Sequence, residues 1–411
     1  MTITSDAVAA RPAFRRPPQG GTTQQRLARL APVVDALRAA DAADEQRRVL
    51  AYEQVDTLRE TGVLGLRVPV RYGGPGGSIR DVVGAVVDIA SGSSNVAQAL
   101  RAHFGFAERL LSNRATEAER QEWFPKINDG LVFGNAITDS TGKTPSSSAT
   151  TVLAGADGVL RLNGHKFYST GTLYADVIAV SAIDDDGNDV QVVVPTDREG
   201  VELFDDWDGF GQRATASGAT HFTDVAVAPV EVTTVSDGSH LGHSTTFLQL
   251  YLAAVAAGIA AAVRADAVEY VRNRARPAAH SLAAAAADDP FVLHAVGEIA
   301  ASASAARTLV LAAADTLDAL VDDGAQADPA ALAAAAVTVA EAQLVAERLT
   351  LSAAQRLFDT GGASATSRAL NLDRHWRNAR TLASHNPLDY KAHAAGNYAV
   401  NAISPPANGY F

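Results

Sequence analysis

The spacing of apolar residues changes twice along this chain, and each change marks a boundary that the fold must respect. Over residues 24–130 apolar side chains recur at helical steps, as in Leu27, Leu30, Val33, Val34 and Leu37. Steps of three and four put such residues on one helix face. Over residues 131–240 the pattern becomes alternation. Val190-Gln191-Val192-Val193-Val194 and the run from Thr220 to Val227 read as strands, half-buried on a sheet. Asp157-Gly158, Asn163-Gly164, Asp186-Gly187 and Glu199-Gly200 separate the strands, as turn pairs do, and Asn163-Gly164 is expected to close a hairpin. Over residues 241–411 helical spacing returns, heavy in alanine, with loops expected at 284–289 and 322–329.

This order predicts an α+β chain: an N-terminal helical domain, a middle antiparallel β domain and a C-terminal four-helix bundle. Residues 1–23 read as a polar, disordered leader. Breaks within the first domain fall at Gly62, from Tyr72 to Gly77, and from Ser91 to Ser94. The apolar run 247–263 is shorter than the roughly 20 residues a membrane span needs. It is expected to be a buried helix, and no membrane role follows from it.

Composition removes whole classes of function. The chain has no cysteine, so disulfides, thiolate metal sites and cysteine nucleophiles are excluded. A net charge of −12 lacks the basic footprint that nucleic-acid phosphates need. The opening residues carry no apolar signal core, so a soluble cytoplasmic protein is expected. No Gly-x-Gly-x-x-Gly follows a strand, which leaves a built-in nicotinamide site unsupported. His240-Leu241-Gly242-His243 lacks a third and fourth ligand nearby, so no metal is expected.

Several segments offer chemistry, each with a plainer reading beside it. Gly134-Asn135-Ala136-Ile137-Thr138 presents an amide and a hydroxyl that hydrogen-bond a ligand or satisfy their own sheet. Lys166-Phe167-Tyr168-Ser169-Thr170-Gly171 offers two aromatic rings and a hydroxyl. Asp206 to Gly218 contains Arg213, an ion-pair partner or a site residue. Arg272, Arg274 and Arg276 suit a phosphate through forked hydrogen bonds, or form a solvated basic helix end. His103 among apolar neighbours reads as a satisfied core histidine or as a substrate-facing one. Gly361-Gly362-Ala363-Ser364 and His385-Asn386-Pro387-Leu388-Asp389-Tyr390-Lys391 close the set.

Together with the segment from Glu60 to Gly74, these motifs resemble the flavin-dependent monooxygenases built on the acyl-CoA dehydrogenase fold. The wording of Lys166 to Gly171 and of Asp206 to Gly218 is most similar to the sulfur-acquisition oxidoreductases related to dibenzothiophene monooxygenase. The resemblance implies a two-component enzyme. A separate reductase supplies reduced FMN, O2 is the co-substrate, and a small organosulfur compound takes one oxygen. It implies catalytic roles for His103, Asn135, Ser169 and His385. It implies cofactor contacts from Asn135, Thr138, Phe167, Tyr168, Ser169, Arg276 and Ser364, with Arg276 reaching a neighbouring subunit's phosphate in a homotetramer. Because the surroundings of Gly361-Gly362 depart from the dehydrogenase pattern, FMN is expected over FAD.

A dehydrogenase of this fold needs a carboxylate base to take a proton beside a thioester. At its two family locations the chain offers Gln249 and Ser384-His385-Asn386-Pro387. An FAD-dependent acyl-CoA dehydrogenase is therefore the second reading. An N- or C-hydroxylating monooxygenase of the same fold and a non-catalytic flavin-binding protein stay open beside it.

Overall fold

The computed structural model describes residues 16–18, 20–113, 115–139, 150–235, 242–406 and 411. Most of the expected leader, residues 1–15 and 19, lies outside the described residues, as does His240. The leader's last two residues belong to a helix instead. The Thr22 hydroxyl accepts from the Gln25 N–H, the Gln25 side chain returns the bond, and Thr23 begins the first turn. Such a reciprocal cap satisfies two N–H groups that a helix start leaves unpaired.

The helical N-terminal part comprises α1 (Thr23–Arg47), α2 (Tyr52–Thr61), α3 (Ile79–Gly92), α4 (Ser94–Ala99), α5 (Arg101–Leu111) and α6 (Glu117–Asn128). Ser78 with Asp81 and Thr116 with Glu119 cap α3 and α6 in the same reciprocal way. The breaks read from sequence coincide with the end of α2 at Gly62, the turns before α3, and the α3–α4 junction.

The middle part holds β1 (Phe133–Ala136), β2 (Thr138–Asp139), β3 (Thr151–Ala154), β4 (Leu160–Phe167), β5 (Val177–Ile183), β6 (Asp189–Pro195), β7 (Val201–Leu203), β8 (Thr220–Val227) and β9 (Val232–Thr234). The sheet order is β7-β8-β4-β3-β5-β6-β9, with β1 on β5 and β2 on β4. Most pairs are antiparallel, but β1 runs parallel to β5, and β3 meets β5 in parallel register. The sheet is thus mixed, because β5 comes to lie beside β1 only after the chain has crossed over through β2, β3 and β4.

Asn163-Gly164 does not make the expected hairpin. It lies inside β4, where the register against β8 shifts between Leu162 and Gly164. A Cβ on Gly164 would fall 2.3 Å from the Thr150 hydroxyl, so glycine is needed here for close approach in a bulge. The β3–β4 turn is made by Asp157-Gly158 instead, with the Val159 N–H bonded to the Asp157 carboxylate.

The C-terminal part holds α7 (His243–Asn273), α8 (Pro290–Asp322), α9 (Pro329–Arg356), α10 (Arg374–Leu382) and α11 (Leu388–Asn401). The loops expected at 284–289 and 322–329 are where α8 and α9 begin. Asp289 and Asp328 cap those helices and proline takes the first helical position of each, where its missing N–H costs nothing. Helices α7, α8 and α9 pack on one another, with α11 along α9 and α3 against α7. By length and composition alone all three long helices are apolar enough to cross a membrane. The apolar window of α7 is 89% buried inside the protein, that of α9 61%, and that of α8 only 28%. Helix α7 is thus the axle of the core. Phe247, Leu250, Tyr251 and Ile259 are buried on it, each contributing roughly 1.5–3 kcal/mol.

Candidate active site

Five elements converge at the first turns of α7. Strand alternation sets the first of them. Lys166 turns inward to the Asp139 carboxylate at 2.8 Å, and Phe167 therefore faces out. Two residues on, Ser169 is fully buried; its N–H donates to the Gly218 carbonyl at 3.0 Å. Gly171 has φ 80° and lies on the Ala99 carbonyl at the end of α4, where a Cβ would be 2.1 Å away. Gly134 of β1 packs on Thr172 of the same turn. The Tyr251 hydroxyl of α7 donates to the Ala97 carbonyl of α4 at 2.6 Å. Arg101 opens α5, and its Nε donates to the Leu248 carbonyl of α7 at 3.2 Å. A terminal nitrogen of Arg101 lies 3.4 Å from His385 Nε2, which brings the turn before α11 to the same place.

Four side-chain oxygens on these elements are buried and have no hydrogen-bond partner among the described residues: Asn135 Oδ1, Ser169 Oγ, Gln98 Oε1 and Thr246 Oγ1. An unmade bond at a buried polar atom costs about 1–3 kcal/mol, which hydrogen bonds to a ligand would offset. At its edge Phe167 and Tyr168 are 42% and 62% exposed. Tyr168 adopts φ 54°, a left-handed conformation costing on the order of 1–3 kcal/mol for a bulky residue. Its ring meets Trp207 edge-on at 5.9 Å. Thr138 sits beside them, opposite Phe167 in the β2–β4 register. A planar apolar ring system with a polar rim fits this set: exposed aromatic rings for its body, orphaned oxygens for its N–H groups. That is the description of an isoalloxazine.

His385 is held by a directional chain. Arginine only donates, so Nε2 of His385 accepts and the ring proton lies on Nδ1. Lys391 also only donates, and its Nζ gives to Gln249 Oε1 at 3.1 Å. The Asn386 amide nitrogen gives to the same oxygen at 2.6 Å, which turns Asn386 Oδ1 toward His385 Nδ1 at 3.3 Å. The imidazole keeps an exposed edge, yet the chain around it strips most of its water. That desolvation, and then the Arg101 charge, lowers its pKa to about 3. Burial likewise lowers Arg101 to about 10 and Lys391 to about 8, and raises Glu347 to about 7. His385 is therefore a neutral imidazole of fixed tautomer near pH 7.

His103 is corrected by the structure. It is fully buried; Nδ1 accepts from the Phe133 N–H at 3.4 Å and Nε2 donates to the Leu64 carbonyl at 2.9 Å. Both ring nitrogens are spent, and burial lowers the pKa to about 4. It is a satisfied core histidine that faces no substrate. Arg213 serves structure as well, donating to the Glu45 carbonyl at 3.2 Å beside the Glu45–Arg377 ion pair. His243 sits buried against Glu108 at 3.3 Å, itself paired with Arg67.

Arg276 and Ser364 are exposed and stand apart from this cleft. A Cβ on Gly361 would lie 1.9 Å from the Tyr270 ring, which fixes the Ser364 turn at the far end of α7. From Leu248 to Tyr270 the helix rises about 33 Å. Sequence reasoning gave Asn135, Ser169 and His385 to one site, and in the structure they stand on elements that meet at the first turns of α7. It missed Gln98, Arg101 and Thr246, and gave Asn386 and Lys391 no task. The one available signal was Arg101, a cation opening an otherwise apolar helical run.

A β sheet clasped between helical layers, with an aromatic rim, orphaned oxygens and the amide of Gln249 at the cleft, fits a flavoprotein of acyl-CoA dehydrogenase architecture. Sequence comparison agrees. The acyl-CoA dehydrogenase N-terminal, middle and C-terminal domains match residues 27–131, 134–225 and 250–390. The probable FMNH2-dependent monooxygenase SfnC of Pseudomonas putida is 32% identical, over 86% of this chain and 89% of its own. Dibenzothiophene monooxygenase of Mycolicibacterium goodii is 28% identical, over 98% and 99%. The FMN-bound structure of TdsC from Paenibacillus sp. A11-2 superposes with a TM-score of 0.87 at 28% identity, covering 94% of this chain and 100% of that one. The chain belongs to the flavin-dependent monooxygenases of the acyl-CoA dehydrogenase family.

Proposed function

We propose that the protein is the oxygenase of a two-component system that uses reduced FMN and O2 to oxygenate a small organosulfur compound. When bound, reduced FMN supplies two electrons for splitting O2, one oxygen going to substrate and one to water. The protein's share is to hold and shield. Asn135 and Ser169 would meet the polar rim of the flavin, Thr138 its neighbouring edge, and Phe167 and Tyr168 its face. His385 would hold a proton at Nδ1 and offer Nε2 at the reacting edge once Arg101 yields it. Arg276 and Ser364 would complete the site of another copy, since about 30 Å of α7 separates them from this cleft. The apolar, largely uncovered α8 supports a homotetramer that buries it, as alanine-rich helix faces pack closely. We place the enzyme in the cytoplasm, where a separate reductase meets it.

The observation that carries this reading is the pairing of orphaned Asn135 and Ser169 oxygens with a cleft where the amide of Gln249 stands in place of a dehydrogenase's base. The relatives' names, FMNH2-dependent and dibenzothiophene monooxygenase, support the cofactor and substrate class. The dehydrogenase reading fares worse on structure than on sequence. Gln249 stands where a base is needed and its oxygen already accepts two hydrogen bonds.

The test is oxygen-18 labelling. Protein, chemically reduced FMN, 18O2 and a panel of organic sulfides, sulfones and sulfinates should yield a product carrying one labelled oxygen. Hydrogen peroxide alone across the panel, or anaerobic reduction of an artificial acceptor by an acyl-CoA, would overturn it.

A further inference from the structure

The buried arginines of this protein divide into those with an acid and those without. Arg59 pairs with Asp176, Arg67 with Glu108, Arg374 with Asp41 and Asp266, and Arg377 with Glu45. Arg26 lacks an acid but spends both terminal nitrogens on fixed protein acceptors, the Gly62 carbonyl at 2.9 Å and Asn128 Oδ1 at 2.8 Å. Arg101 does neither. Its Nε reaches the Leu248 carbonyl and one terminal nitrogen reaches His385. Its second terminal nitrogen makes no hydrogen bond to the described residues.

A half-buried guanidinium without a counter-charge is costly. It persists where an incoming anion completes it. Among the described residues no carboxylate pairs with Arg101. The side chains at the cleft are His385, neutral, and Gln98, Asn135, Ser169, Thr246, Gln249 and Asn386, all uncharged. Behind Gln249 lies Lys391, another cation, and the carboxyl that faces Lys391 is Glu347, which forms no ion pair with Arg101 and whose pKa burial raises to about 7. Gln98 stands three residues before Arg101, so the two lie on one side of the α4–α5 turn.

We propose that Arg101 is the substrate-anion receptor of this enzyme, and that its substrate is a small organic oxyanion and not a neutral sulfide, sulfone or thiophene. This rests on the oxygenase reading given above. Arg101 yields His385 Nε2 and turns its two terminal nitrogens to two anionic oxygens, so the substrate is seated beside the imidazole. An oxyanion head belongs either to a sulfinate or to a carboxylate carrying a thioether. In both the sulfur keeps a lone pair that can accept oxygen. For the sulfinate the balance is R–SO2⁻ + FMNH2 + O2 → R–SO3⁻ + FMN + H2O. One S–O bond forms, the O–O bond breaks, and the two flavin hydrogens leave in water.

The experiment separates binding from turnover. Calorimetry on the protein loaded with oxidised FMN uses ethanesulfonate, whose sulfur has no lone pair to oxidise, against the neutral isostere ethyl methyl sulfone. The wild type should bind the anion at least ten-fold tighter. Arg101→Ala should lose about 10–100-fold in anion affinity, as expected for a charged hydrogen-bonded pair, with Arg101→Lys between. Equal wild-type affinity for anion and sulfone overturns the proposal even if the alanine variant fails to fold. So does an alanine variant, folded by thermal melt, that binds ethanesulfonate as the wild type does. Ethanesulfinate against methylthioacetate in the labelling assay then tells the two sources of the oxyanion apart. Efficient labelling of neutral sulfides with no preference for either anion sinks the receptor and leaves the oxygenase standing. Arg101-dependent anion binding without any label transferred sinks the oxygenase and leaves the receptor.

Discussion

Two histidines within one helix-and-turn neighbourhood have opposite surroundings. His103 is sealed between Leu64 and Phe133, with each ring nitrogen bonded to backbone. His385 keeps an open edge, and one of its nitrogens is held only by a side chain that can move, Arg101, at a long 3.4 Å. Both are neutral near pH 7. The contrast extends to their neighbours. Both nitrogens of His103 are paired, whereas four oxygens on the elements around the cleft have no partner among the described residues. Residue type does not separate a working histidine from a packed one; unspent hydrogen-bonding capacity does.

The hardest test of that contrast is His385→Ala. Product formation should fall roughly 10²–10⁴-fold if proton handling is the lost contribution, while reduced FMN still binds and oxygen is still consumed as hydrogen peroxide. Product and peroxide are measured together with FMN saturating. Normal coupling in this variant would make His385 a packing residue and erase the distinction.

His103→Ala should do the reverse. It leaves the Leu64 carbonyl and the Phe133 N–H unpaired and opens a cavity beside Phe104 and Phe133. Stability should drop by about 3–4 kcal/mol, read as a lower urea midpoint. The protein that remains folded should keep wild-type coupling of oxygen to product. Uncoupling at full stability would restore the catalytic role that sequence reasoning gave this residue.

A third test concerns the distal end of α7. Arg276→Ala should weaken FMN binding by about 1.5–3 kcal/mol if the arginine pairs with phosphate across a subunit boundary. The loss should appear in the assembled oligomer by fluorescence titration. Unchanged affinity would return Arg276 to a solvated helix end, and leave the cleft complete within one protomer.

How much of this was legible beforehand follows from what each feature depends on. The helical and strand regions are written in local spacing, and the loops before α8 and α9 in local composition, so both read well. The bulge at Gly164 did not, because its cause is Thr150 approaching from another strand. Asn135, Ser169 and His385 were found through segment resemblance. Arg101 was not, because its importance is a missing carboxylate, and an absence in three dimensions leaves no mark in one. His103 was misjudged for the same reason. Its two partners lie 39 and 30 residues away, and only the fold shows that they use up the ring.

The smallest effect offers the finest discrimination between the two histidines. Burial first of all lowers the pKa of His103 to about 4, against an unfolded value near 6.5. A depressed pKa means that the unfolded chain takes up the proton first. The stabilising contribution is present above pH 6.5 and is lost as pH falls through 4. At pH 5.5 the wild type should therefore have lost about 1 kcal/mol through this one residue. His103→Gln keeps a donor and an acceptor but cannot titrate. Starting from a lower stability at pH 7.5, it should show a correspondingly smaller fall between pH 7.5 and 5.5. His385 is also depressed, but its open edge lets water screen the charge it gains. His385→Gln should then flatten the same profile less than His103→Gln does. Urea melts at the two pH values for the three proteins supply the comparison. An equal or larger flattening for His385→Gln would mean that its imidazole is as sealed as that of His103, and that the cleft is closed to the solvent its chemistry must exchange with.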